Sequence, residues 1–148
     1  MSLISNIHCI FIYIYIYIYI YISKYQRGNG GLAKSCNGLL KRIEDNDPKL
    51  KELIILPSKQ FGSIEVKRLA NAIQSNTHLI SIRASGHALD HESLSILGMA
   101  ISNSNSNIQH IALGDKHMGD QGIIAFCQPL KDTHGGSLIH VDFGWKDM

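Results

Sequence analysis

An apolar pattern that restarts every 29 or 30 residues constrains this chain more than any other feature. It runs through Leu50, Leu53, Ile55 and Phe61, then Leu69, Ala72 and Ile73 at helical spacing, and closes on Asn76. It restarts at Leu79 with Ile82, Ala84, Leu89, Leu94, Leu97, Ala100 and Ile101. The third start, Ile108, is followed by Ile111, Leu113, Met118, Ile123, Phe126 and Leu130. A last start gives Leu138, Val141, Phe143 and Met148, and upstream Leu39, Ile43 and Asn46 match Leu69, Ile73 and Asn76. Each unit holds a short strand and an amphipathic helix that share one apolar stripe. A single unit has nothing to bury that stripe against, so neighbouring units must stack.

The clearest unit, Ile108 to Leu130, reads IQHIALGDKHMGDQGIIAFCQPL. Its strand, its Gly-Asp turn and its apolar helix resemble leucine-rich repeats of the ribonuclease-inhibitor-like type. The resemblance covers roughly Leu39 to Met148 and is strongest from Leu50 onward. It implies an α/β fold: a right-handed solenoid, a leucine-rich-repeat horseshoe segment with a parallel sheet on the concave face and helices on the convex face. Such arcs hold partner proteins, and some members activate GTPases of the Ran type, though no residue here carries that activity over. In this unit Asp120 is the expected N-cap, and Gly122 is unexpected in a first helical turn. Where the family places an Asn or Cys that bonds the loop after the strand, this chain has Ser58, His87, Lys116 and Lys146. Lysine accepts no hydrogen bond, which predicts looser loops there.

Stacked parallel strands turn equivalent positions into columns about 4.8 Å apart. The outward columns read Glu52, Ser81, His110, His140; Ile54, Arg83, Ala112, Asp142; Leu56, Ser85, Gly114, Gly144; and Pro57, Gly86, Asp115, Trp145. Candidate binding residues are therefore Arg83, His110, Asp115, His140, Asp142 and Trp145, a mixture of aromatic and charged groups suited to protein recognition. An outward sheet face must be polar in any case, and repetition of one motif accounts for the two histidines without a metal ligand. No metal and no cofactor is expected.

The N-terminal part is of another kind. From Ile12 to Ile22 isoleucine and tyrosine alternate strictly. As a strand the run puts all Ile on one face and all Tyr on the other, with no charge or proline to guard its edge. As a helix, residues 3–22 span about 30 Å, long enough for a bilayer, with Lys24 and Arg27 favouring a cytoplasmic C-terminal side. Five tyrosines through the middle of a span argue against that reading, because tyrosine prefers the interface. A third origin is translated AT-repeat DNA, whose alternating ATA and TAT codons read Ile-Tyr. All three stay open. The expected organisation is a low-complexity segment at 1–23, a Gly-rich linker at 24–38, and the repeats at 39–148, the last unit truncated.

Catalytic and phosphate-binding motifs are missing. Arg27 to Gly31 lacks the Gly-Lys-Ser/Thr ending of a phosphate loop, His87 and His91 lack the HExxH glutamate, and no Gly-x-Ser-x-Gly elbow occurs. Three cysteines without CxxC spacing indicate neither a disulfide framework nor a zinc site, and Cys127 falls at the small-residue position of a repeat helix. The formal net charge of +2 is too small to hold a nucleic-acid backbone. Residues 1–74 carry ten basic and five acidic groups, against four and seven in 75–148, an asymmetry that reads as solvated outer faces. The expectation is a non-enzymatic protein-binding scaffold, cytoplasmic or tethered to a membrane facing the cytoplasm. Its alternatives are a membrane-anchored adaptor through residues 3–22, or a fragment of a longer repeat protein of GTPase-regulator type.

Overall fold

The computed structural model describes residues 34–103, 106–133 and 136–144. They belong to a unit spanning Ala33–Met148, distinct from Met1–Leu32. The Ile/Tyr segment, and with it the candidate span at 3–22, lies outside the described residues, as does Trp145. The described part is a mixed α/β structure. In chain order it comprises β1 (Lys34–Ser35), α1 (Asn37–Glu44), β2 (Glu52–Ile54), β3 (Lys59–Gln60), α2 (Ser63–Ser75), β4 (Ser81–Arg83), α3 (His91–Ser102), β5 (His110–Ala112), α4 (Gly119–Cys127), a 3-10 turn (Gln128–Leu130) and β6 (His140–Asp142).

Four of the strands form one parallel sheet in the order β2-β4-β5-β6, and β1 pairs with β3 in a second, two-stranded parallel sheet. The larger sheet is in strict repeat register: Leu53 faces Ile82, Ile82 faces Ile111, and Ile111 faces Val141. Backbone bonds extend that ladder beyond the short strands. Ile55 N–H donates to the Arg83 carbonyl at 2.8 Å, Ala84 N–H to Ala112 at 2.8 Å, and Leu113 N–H to Asp142 at 3.0 Å. Parallel strands need long crossovers, and here each crossover contains a helix.

The core lies between the sheet and the helices. Leu50, Leu53 and Ile55, Leu79, Ile82 and Ala84, and Ile108, Ile111 and Leu113 enter it from the strands. Leu40 and Ile43, Val66, Leu69 and Ile73, Leu94, Leu97 and Ile101, and Phe126 enter it from the helices. The helices pack in chain order, each against the next. Gly98 on α3 is where that packing is tightest, because a Cβ there would run into the backbone carbonyl of Phe126 on α4. In the last unit Leu138, Val141 and Phe143 are only half-buried, although Phe143 stacks edge-on against Phe126 with centroids 5.5 Å apart.

Helix starts follow local chemistry. The Asp90 carboxylate caps α3 by accepting from Ser93 N–H at 2.7 Å. The Glu65 carboxylate reaches back to the Gly62 N–H at 2.9 Å at the start of α2. Three expectations change. Asp120 does not cap α4; it lies inside the helix, one residue after Gly119, whose φ of +58° makes the entry turn and leaves Met118 as the preceding residue. Gly122 is closely packed there, since a Cβ would sit 2.7 Å from Met118 Cγ and 3.2 Å from Leu94 Cδ1, and those side chains would have to move. The expected linker extends too far: Lys34 and Ser35 pair with Lys59 and Gln60, and Cys36 is buried with its thiol donating to the Gln60 carbonyl at 3.1 Å. For the same reason α1 begins earlier than its apolar pattern suggested and buries Leu40 with Ile43, leaving Leu39 half-buried.

Asparagines lock successive units together. Asn76, at the C-cap of α2, donates to the Ile43 carbonyl of the preceding unit at 2.9 Å and accepts from His78 N–H at 2.9 Å and Leu79 N–H at 2.7 Å. Asn46, in the left-handed region at φ 53°, bonds Thr77 through its backbone N–H at 2.9 Å and its hydroxyl. One of these bonds adds a second donor to a carbonyl near the end of α1, and others satisfy backbone N–H groups of the loop that leads from α2 into β4.

Candidate functional site

Alternation along β2, β4, β5 and β6 sends one side chain in two away from the core. The outward positions are Glu52 and Ile54, Ser81 and Arg83, His110 and Ala112, and His140 and Asp142. Pairing is in the columns expected from the repeat: Glu52 with Ser81, Ser81 with His110, and His110 with His140. The neighbouring column pairs Ile54 with Arg83, Arg83 with Ala112, and Ala112 with Asp142.

His110 and His140 stand side by side with ring centroids 6.2 Å apart and planes inclined by 45°. Asp142 lies two residues further along the same face, where its Oδ1 accepts from the Gly144 N–H at 2.6 Å. Asp115 lies in the loop after β5 and closes its own turn: Oδ2 accepts from His117 N–H at 3.0 Å, and its carbonyl accepts from Met118 N–H at 3.1 Å. Arg83 is engaged with its neighbour, its Nε donating to Glu52 Oε1 at 2.9 Å across the β2–β4 pair. Both partners are more than a third exposed, so the bridge is a weak, water-screened contact. The face thus divides into a Glu52–Arg83 ion pair beside exposed Ile54 on β2 and β4, and a His110, His140, Asp142 group on the next two strands, β5 and β6.

Glycine sets how closely the following loops approach. A Cβ on Gly114 would collide with the Phe143 carbonyl and come within 2.6 Å of the Gly144 carbonyl, so the loops after β5 and β6 touch backbone to backbone. Gly86 N–H bonds the Gly114 carbonyl at 2.8 Å in the same way one unit earlier. The looser loop expected at Lys116 is held by Asp115 instead, a residue type able to accept the bonds that lysine cannot.

One residue with a structural part was visible only as a departure from the family pattern. His87 replaces the loop-bonding Asn or Cys, and it is buried with Nε2 3.2 Å from the Ile55 carbonyl. Its position in the repeat was the available signal. Among the described residues no group of three or more His, Cys, Asp and Glu side chains is placed to hold a metal ion. No helix among them is long and apolar enough to cross a membrane.

No protein-family model matches the chain, and no curated protein matches it. Among solved structures it is similar to the tropomodulin C-terminal domain of Caenorhabditis elegans, at 14% identity and a TM-score of 0.44, covering 76% of this chain and 84% of that one. At that identity and TM-score the likeness assigns neither family nor function. The class that the chain's own geometry defines is a repeating α/β unit with a parallel sheet and one exposed polar face.

Proposed function

We propose that this chain is a non-catalytic protein-binding scaffold, a leucine-rich-repeat solenoid segment of the ribonuclease-inhibitor-like type that engages its partner through the exposed sheet face. One observation carries the reading: four parallel strands in strict register bury one side chain in two and present Glu52, Ile54, Arg83, His110, His140 and Asp142 together on the other side. A sheet of this kind is a rigid platform whose polar face is free to vary without touching the core. By repeat spacing, Asp115 and Trp145 share a further column of the sequence pattern, and both are included in the proposed surface.

The test is site-specific photocrosslinking in the source cell. A photoreactive side chain at position 140 captures a discrete partner, while the same probe at Ile124 on α4 does not. His140→Ala and Arg83→Ala lower capture with an unchanged circular dichroism spectrum. Capture from position 124 and not from 140 refutes the assignment of the face. A second reading, a segment of a longer repeat protein, draws on the half-burial of Leu138, Val141 and Phe143, a surface that a further unit would cover. Full-length transcript sequencing tests it, together with the origin of the Ile/Tyr tract.

A further inference from the structure

His87 is a buried ionisable side chain for which the proposed binding face has no use. It is 6% exposed, and its ring stands edge-on to Phe61, with centroids 5.4 Å apart and planes at 69°. Nε2 lies 3.2 Å from the Ile55 carbonyl, which can only accept, so the neutral ring is assigned its proton on Nε2. Backbone hydrogen bonding reaches it from Leu56 as well, and the charged group that faces it is Asp115. The contacts join two places in the repeat, since Ile55 and Leu56 follow β2 and Phe61 leads into α2 whereas His87 follows β4; Asp115, after β5, acts only through its charge. Phe61 contributes no charge, the β2 loop contributes carbonyls, and the β5 loop contributes one carboxylate.

We propose that His87 is an acid-sensitive latch between the loops that follow β2 and β4, holding them together while neutral and loosening them when it takes a proton. The physical cause is the cost of placing an imidazolium where water is excluded. Burial pulls the His87 pKa below its ordinary value, and the Ile55 and Leu56 hydrogen bonds and the Asp115 charge oppose that pull without cancelling it. The unfolded chain therefore binds this proton at higher pH than the folded one. Stability is complete above the unfolded value, about 6.5, and falls as pH drops through it toward the folded value. Each unit of depression is worth a factor of about ten in the folding equilibrium.

The experiment compares the full chain with His87→Gln, which is neutral at every pH, by urea unfolding at pH 7.5 and pH 5.0. In the parent the unfolding constant rises on acidification by more than in His87→Gln; equal rises overturn the proposal. Hydrogen exchange at pH 5.0, corrected for intrinsic rates, is expected to show the parent losing protection first at residues 55–61 and 84–89, and uniform loss across the sheet refutes a local latch. Should His87→Gln fail to fold, the imidazole resonances of the parent decide. A His87 titration midpoint below the ordinary imidazole value, about 6.5, supports the latch, and one at or above that value overturns it.

Discussion

Replacing Asn76 by alanine removes a brace that ties α1, α2 and β4 together, and its cost follows from the three bonds lost. Of the groups left behind, the Leu79 N–H is buried and loses its partner, the Ile43 carbonyl keeps the Asn46 N–H at 3.0 Å, and the His78 N–H is partly exposed and finds water. A buried polar group deprived of its partner costs about 1 to 3 kcal/mol, and the second bond lost at the Ile43 carbonyl adds about 1 kcal/mol, so the variant costs about 2 to 4 kcal/mol. That is a large share of the roughly 5 to 15 kcal/mol that holds a domain folded. Asn76→Asp separates the two arms of the brace. Its carboxylate still accepts from both N–H groups, but when ionised its second oxygen faces the buried Ile43 carbonyl oxygen, whereas the protonated acid can donate there, so its cost is expected to be smaller at acid pH than at neutral pH. Urea unfolding followed by far-ultraviolet circular dichroism reads both values, with an unchanged m showing that the denatured state is not the cause. An alanine variant within about 0.5 kcal/mol of the parent, the range of ordinary surface substitutions, would sink the argument that Asn76 carries the joint between units.

Other substitutions test the packing at separate points. Gly98→Ala improves helix propensity by about 1 kcal/mol and yet is expected to lower the thermal midpoint, because the new methyl group strikes the Phe126 carbonyl; a higher midpoint would refute the close approach of α3 and α4. Ile82→Ala in the middle of the sheet should cost about 2 to 5 kcal/mol, and Val141→Ala, on the half-buried last strand, distinctly less in the same unfolding assay. Asp90→Ala should cost about 1 kcal/mol through the lost α3 cap. The hydrogen bonding of Ser93 holds the Asp90 carboxyl below its ordinary range, so the difference from the parent is full above the unfolded value and shrinks as pH falls through the folded one. A difference that persists unchanged at pH 2 would argue against the cap.

Much of the architecture was legible because stacking forces it. A strand-and-helix pattern recurring every 29 or 30 residues has one economical way to bury its stripe, and the paired strands present two of the outward columns read from that spacing, the one through Glu52 and His140 and the one through Ile54 and Asp142. The details that escaped are those set by contacts between units rather than by the pattern within one. Gly122 looked like a poor helix residue until Met118 and Leu94 were seen to occupy the space of its Cβ. Residues 34–38 looked like linker because two-residue strands carry no periodicity of their own, and only the pairing of Lys34 and Ser35 with Lys59 and Gln60 brings them into the fold.

For the strand positions of the candidate face, repeat spacing alone says which side chains share a column, since strand period and repeat length fix a column without reference to any contact. Tertiary structure decided what those side chains are doing. Arg83 is committed to Glu52, His110 and His140 stand ring beside ring, and Asp115 holds its own turn. It also decided that His87, a loop residue by pattern, is a core residue by burial. Periodicity reports the direction in which a side chain leaves its own backbone, and burial depends on what the neighbouring unit places there.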